Sequence, residues 1–338
     1  MRSKLHTIQY LRAFAAMLVL ASHALLYPLA DHPLVYGRMG QLGVVLFFVL
    51  SGFIMVVVTG HSRFDARDFL RRRVVRVVPM YWAFTFLAAA LALVLPSLFK
   101  TTVFDGMQLA LSLVFVPFYN PASHGLHPLY KLGWTLNYEM FFYVSFALLA
   151  LLPARARVMT LSVVFGGLAL IGAVLRPTEA IPAFYTSYMP LAFVAGAWLG
   201  LGHIEGRLQT LGRPLALVAG ALVLAGLAQG FAVAAEEHAF WGMLVFAVAL
   251  VAMAIAFAQN LPQWPLLELV GDASYSIYLV HIFAVAAIAG VALHLVEPAG
   301  TTATLVAVGA AIVGGTLIGV MLYRLVEAPL MRRMRKPA

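Results

Sequence analysis

Long apolar runs joined by short polar stretches set the pattern of this chain. They fall at residues 8–29, 41–59, 78–98, 132–152, 158–175, 186–202, 214–231, 239–258, 273–296 and 301–325. Crossing about 30 Å of hydrocarbon takes about 20 apolar residues in an α-helix. The pattern therefore predicts an all-α, polytopic membrane protein of ten spans, forming one membrane domain over residues 1–338. Val103 to Phe118 is apolar enough to be a further span. Counting it would send Arg155, Arg157, Arg207 and Arg213 outside, so it is read as a re-entrant or surface-lying helix in an outer loop. Asn120 to Pro128 then forms a turn-rich outer loop.

Charge placement agrees with this map. With the N-terminus inside, both termini are cytoplasmic, and of the 22 basic residues only Arg38, Lys100, Lys131 and Arg176 fall outside. That asymmetry is the positive-inside signature and supports both the span count and the orientation; the expected location is a bacterial inner membrane. The chain is 63% hydrophobic and 10% charged, against about 25% charged in soluble domains. No soluble domain of useful size is left over. The net charge of +9 follows from topology and implies no nucleic-acid partner. Cysteine is absent, which excludes disulfides, thiolate metal sites and an acyl-cysteine intermediate; no metal is expected. The first run is too long for a signal-peptide core and lacks a following small-residue cleavage site, so it is expected to be retained. No internal repeat with matching broken helices is seen, which counts against a transporter. Gly196-xxx-Gly200 and Gly315-xxx-Gly319 read as helix-packing surfaces.

Candidate chemistry begins in the first run, which carries Arg12 and His23. Ionisable groups inside a span cost about 2.5–3.5 kcal/mol each on insertion scales. Their separation of 11 residues is about 20° beyond three full turns, so they share one helix face about 16 Å apart along the axis. The alternative is a snorkelling Arg and a packed His. After the second run comes an arginine-rich loop from Arg63 to Arg76. Arg63, Arg67 and Arg71 read as topology signals. Arg73 and Arg76, three apart at the helix entrance beside Pro79, suit an anion through their guanidinium forks, and Arg72 shares a face with Arg76. The fourth run holds Glu139, roughly 10 Å from the outer surface and level with His23. The two fit a hydrogen-bonded catalytic pair; alternatively Glu139 makes a structural bond to Trp134, Tyr138 or Tyr143. In the ninth run Ser274, Tyr278 and His281 form a polar stripe that either lines a cavity or stitches helices together. Glu327, at the cytoplasmic end of the last run, is placed to pair with Arg73 or Arg76.

These stretches together resemble the integral-membrane acyltransferase-3 family, which acylates cell-surface polysaccharides. The resemblance covers the whole chain. It rests on Arg12-x10-His23, the Gly43 to Phe53 run with Ser51-Gly52, Arg73-xx-Arg76 with Pro79, Tyr81 and Trp82, Trp134-xxxx-Glu139, Ser274 to His281, and Glu327-x-Pro329. Gly133-Trp134-Thr-Leu-Asn137-Tyr138-Glu139 looks most like the stand-alone exopolysaccharide O-acetyltransferases; other members have Ser-Val-Glu there. No appended hydrolase-like domain is expected after Ala338. The resemblance implies transfer of an acetyl or similar short acyl group from cytoplasmic acyl-CoA, usually acetyl-CoA, to a hydroxyl of a surface polysaccharide or lipid-linked glycan. Arg73, Arg76 and Arg72 would hold the anionic end of CoA, with Arg12 as a further cation. His23 would be general base or acyl acceptor, and Glu139 would orient it. Trp134, Tyr138, Ser274, Tyr278, His281 and Glu327 would support substrate or structure. Membrane lipids would surround the domain. The competing reading is a proton-coupled transporter of a lipid-linked sugar or organic anion, relayed through Arg12, His23, Glu139 and His281.

Overall fold

The computed structural model describes residues 6–26, 33–95, 103–208, 213–232, 236–295 and 301–335. In chain order the helices begin with α1 (His6–Ala24), α2 (Pro33–Thr59), α3 (Ala66–Val94), α4 (Gly106–Leu113) and α5 (Gly133–Leu148). Next come α6 (Ala154–Leu175), α7 (Ala180–Tyr185), α8 (Leu191–Ile204), α9 (Arg213–Ala232) and α10 (Glu236–Ala256). The last are α11 (Pro265–Asp272), α12 (Ser274–Leu295), α13 (Thr301–Leu322), a π-turn over Tyr323–Glu327, and α14 (Ala328–Arg335). No strand occurs among the described residues. Lys100, expected outside, and Arg2, Lys4 and Lys336, expected on the cytoplasmic side, lie outside the described residues.

Every predicted run carries a helix, but the lengths differ. Among the described residues five helices are by themselves long and apolar enough to cross a membrane: Tyr36–Thr59, Ala66–Val94, Ala154–Leu175, His238–Ala256 and Thr304–Met334. A sixth is counted if α11 and Ser274–Ile288, bent by 72° at their junction, are taken as one broken span. Shorter apolar helices cover Leu191–Ile204 and Val218–Ala232.

The arginine-rich loop is mostly helix. Asp65 caps α3, its carboxylate accepting the Arg67 and Asp68 amides. This satisfies two of the amide donors that a helix start leaves unpaired. Arg67 to Arg76 therefore occupy the first three turns of α3, and Pro79 lies inside that helix, not at its entrance.

The segment after α3 is no span. Helix α4 has eight residues, about 12 Å of rise. Two ring donors of α3 hold it: the Tyr81 hydroxyl donates to the Ser112 carbonyl at 3.1 Å and the Trp82 indole to the Leu113 carbonyl at 2.9 Å. The following loop is knit locally. His127 Nδ1 lies 3.0 Å from the Pro128 carbonyl, which can only accept, so that nitrogen carries the proton and Nε2 accepts from Ser123 Oγ at 2.5 Å. Burial holds the His127 imidazole below its usual pKa, consistent with this neutral form.

Two compact units emerge: Met1–Val57 with Ala195–Arg333, and Val58–Val194 with Met334–Ala338. In the first, α1 is the centre. A Cβ at Gly43 of α2 would sit 2.7 Å from the Ala15 carbonyl, and one at Gly271 of α11 would sit 2.1 Å from the Gln9 carbonyl. Only glycine lets these backbones come so close. Ala13, Ala16, Leu20 and Ala24 of α1 pack with Val270, Ala273, Ile277 and Val285. The two small-residue motifs behave as packing surfaces: a Cβ at Gly196 would meet the Val49 carbonyl at 1.9 Å, and one at Gly319 the Ile277 Cα at 2.7 Å.

Candidate active site

Both ionisable side chains of α1 meet α12. Arg12, 8% exposed, donates to Gln9 Oε1 one turn back at 3.1 Å and to Ser274 Oγ at 2.8 Å. Ser274 opens α12 immediately after the 72° bend, so the break in the span delivers its hydroxyl to Arg12. His23, in the last turn of α1, has Nδ1 3.0 Å from the Val19 carbonyl, 3.2 Å from Ser22 Oγ and 3.3 Å from His281 Nε2. The two imidazoles meet edge to face, 4.7 Å between centroids. His281 is fully buried, and its Nδ1 lies 2.7 Å from the Tyr278 carbonyl. The Tyr278 ring lies between Phe47 and His281, with centroids 6.1 and 5.8 Å away. Ser276, also buried, donates to Glu327 Oε2. The π-turn carries Glu327: the Ala328 amide reaches five residues back to the Tyr323 carbonyl. Such widened turns often mark functional sites.

In the second unit the arginines separate by burial. Arg63, Arg67 and Arg71 are exposed, and Arg72, half exposed, pairs with Asp68 one turn back at 2.6 Å. Arg76 is half-buried. Arg73 is buried, with its guanidinium over the rings of Phe69 at 5.5 Å and Tyr143 at 5.8 Å. Its Nε is a buried donor with no hydrogen-bond partner among the described residues. The Tyr143 hydroxyl donates to Glu139 Oε1. Arg73, Tyr143 and Glu139 thus form one cluster between α3 and α5: a buried cation with an unspent donor, a stacked phenol and a carboxylate behind it.

A family model described as an acyltransferase domain, the type-3 acyltransferases, matches residues 5–324. The chain belongs to the acyltransferase-3 family. It is similar to the exopolysaccharide production protein ExoZ of Rhizobium meliloti strain 1021, at 36% identity over 302 residues, which cover 88% of this chain and 91% of that protein. No solved structure matches it. As a member of this family it is a membrane acyltransferase, all-helical among its described residues.

Arg12, His23, Ser274, Tyr278 and His281 come together on the facing sides of α1 and α12. The polar stripe of α12 is thus a seam against α1. Glu327 is bonded to Ser276 of that same helix. Glu139 makes the bond to Tyr143 that sequence offered as its structural alternative. His23 belongs to the first unit and Glu139 to the second. Trp134 and Tyr138 are packing groups: their rings meet edge to face at 6.1 Å, and Tyr138 stacks flat on Phe184 at 3.9 Å. Sequence reasoning gave His281 only a supporting role and missed that it touches His23. A spacing of 7 between Ser274 and His281, two helical turns, was the available signal.

Proposed function

We propose that this protein is a membrane O-acyltransferase that moves an acetyl group from cytoplasmic acetyl-CoA to a hydroxyl of an exopolysaccharide or its lipid-linked precursor. The observation that carries this reading is the α1–α12 seam: a buried Arg12 and a titratable His23 on one helix face, each held by a polar partner, in a chain of this family. Similarity to an exopolysaccharide production protein supports the acceptor class.

Each residue's chemistry follows from its setting. Arg73, with an unspent buried donor, and Arg76 beside it suit the phosphates of CoA, because guanidinium forks bind phosphate in bidentate fashion. Glu139 supports that site through Tyr143. Arg12 supplies a further fixed cation. His23 takes the proton from the sugar hydroxyl as its oxygen attacks the thioester carbonyl. The C–S bond breaks, and the imidazolium returns the proton to the leaving thiolate. Balance is kept without metal or redox partner.

The proposed membrane arrangement has ten spans with both termini cytoplasmic. Two observations support it. Arg12 meets Ser274 and His23 meets His281, so α1 and α12 run parallel. An odd number of crossings must then separate them, and predicted runs two to eight are seven. Helix α4 is too short to add another.

The test measures binding and transfer separately in purified protein, with radiolabelled acetyl-CoA and de-O-acetylated exopolysaccharide as acceptor. His23→Ala is expected to bind acetyl-CoA normally and transfer nothing above background. Near-normal transfer by this variant overturns the base assignment. Movement of glycan across liposomes without CoA consumption overturns the enzyme reading in favour of transport.

A further inference from the structure

Three neighbours of His23 Nδ1 present lone pairs. The Val19 carbonyl, 3.0 Å away, can only accept. Ser22 Oγ spends its hydrogen on that same carbonyl, at 2.8 Å, and so offers a lone pair to His23 at 3.2 Å. The third neighbour is His281 Nε2, at 3.3 Å. Its state is set on the far side of the ring: His281 Nδ1 lies 2.7 Å from the Tyr278 carbonyl and must carry the hydrogen there. A neutral imidazole with its proton on Nδ1 has a lone pair on Nε2. The chain therefore runs one way, from the Tyr278 carbonyl through His281 to His23.

We infer that His281 is a positioning residue that locks His23 in the form protonated on Nδ1 and thereby makes Nε2 the reacting nitrogen. This rests on the reading of His23 as the base. Of these three acceptors, Val19 and Ser22 belong to α1 itself and follow it wherever it goes. His281 comes from another helix, so it fixes the ring's direction relative to the rest of the unit. Its imidazole is fully buried and meets the His23 ring edge-on, which limits rotation of the pair. During transfer Nδ1 keeps its hydrogen. The hydroxyl proton arrives at Nε2 and leaves from Nε2 to the thiolate, and neutral His281 accepts from the imidazolium in between. The other tautomer would aim a lone pair at three lone pairs and place a proton where the base must act. An orienting group of this kind controls turnover and not donor binding.

The experiment compares His281→Gln, His281→Asn and His281→Leu by steady-state transfer from acetyl-CoA to de-O-acetylated exopolysaccharide. The terminal amide of Gln reaches the position of Nε2 and can accept from His23; that of Asn reaches only the position of Nδ1. Gln is expected to hold kcat within about threefold of the parent. Asn and Leu are expected to lower it about tenfold or more, the weight of one lost hydrogen bond, with KM for acetyl-CoA within about twofold. Equal kcat for Asn and Gln, or parental kcat for Leu, overturns the inference. Should the Leu variant not fold, the Gln and Asn pair still decides. Failure of the two readings is distinguishable: an active His23→Ala removes the base, whereas an inactive His23→Ala beside a fully active His281→Leu removes only the role of His281.

Discussion

Arg73→Ala removes a buried guanidinium whose Nε has no hydrogen-bond partner among the described residues and whose plane lies over Phe69 and Tyr143. An unspent buried donor beside two rings is an expensive arrangement unless an anion completes it. One charge-assisted hydrogen bond contributes about 1.5–3 kcal/mol, so its loss weakens binding about 10- to 150-fold. Arg73→Lys keeps the charge but loses the fork and the ring stacking, so it should recover only part of that. Arg63→Ala is the control, because Arg63 is exposed and belongs to the topology signal. The assay is equilibrium binding of acetyl-CoA to each purified variant at fixed ionic strength, with intrinsic melting as a check on folding. Equal, small effects at Arg73 and Arg63 would refute the reasoning and reduce the whole run to positive-inside charge. Full rescue by Lys would leave a cation requirement but refute the bidentate geometry.

Two other expectations follow from charge placement and from burial. Reporter fusions after Pro153, Gly212 and Ala338 should all score cytoplasmic; an outside signal at Gly212 with an inside signal before Val103 would mean that Val103–Phe118 crosses the membrane. Arg157→Met should lower the melting temperature markedly, by the equivalent of about 3 kcal/mol or more, because buried carbonyls left unpaired cost about 1–3 kcal/mol each; an unchanged melt would return Arg157 to a purely topological role.

Arg157 also shows where sequence reading stops. In the charge pattern it is one more cytoplasmic arginine. In the structure it is fully buried, donating to Thr59 Oγ1 at 3.0 Å, to the Ser62 carbonyl at 3.0 Å and to the Leu152 carbonyl at 2.7 Å, with Phe64 4.5 Å beneath it. Hydropathy and charge counting report an average environment, so they located the runs and the common face of Arg12 and His23. They carry no information about contacts between residues 258 apart in sequence, as His23 and His281 are. The short helix before α12 escaped for a related reason: the predicted run begins at residue 273, at the bend itself, and the eight residues of Pro265–Asp272, with Glu268 and Asp272 among them, are too few to register as a span. The π-turn has a local cause that was legible only in part. Pro329 has no amide hydrogen to give to the residue four back, so the ladder must rearrange near it.

The placement of glycine and alanine around α1 bears on catalysis as directly as the polar residues do. Apolar burial supplies little net force between helices in lipid, so association depends on close packing and hydrogen bonds. Helix α1 has both. Its small residues and the glycines of α2 and α11 bring backbones to distances that no Cβ would permit, while Arg12 and His23 bond across to α12. The two kinds of contact depend on each other. A shift of about 1 Å between α1 and α11, such as a methyl at Gly271 would force against the Gln9 carbonyl, falls three residues before Ser274 and is comparable to the tolerance of a hydrogen bond at these distances. It would separate Arg12 from Ser274 before it exposed any apolar surface. A base must lie within hydrogen-bond reach of the proton that it removes. Under the proposed mechanism, the small-residue packing is thus what would hold a single imidazole, on a helix end, in one orientation through turnover.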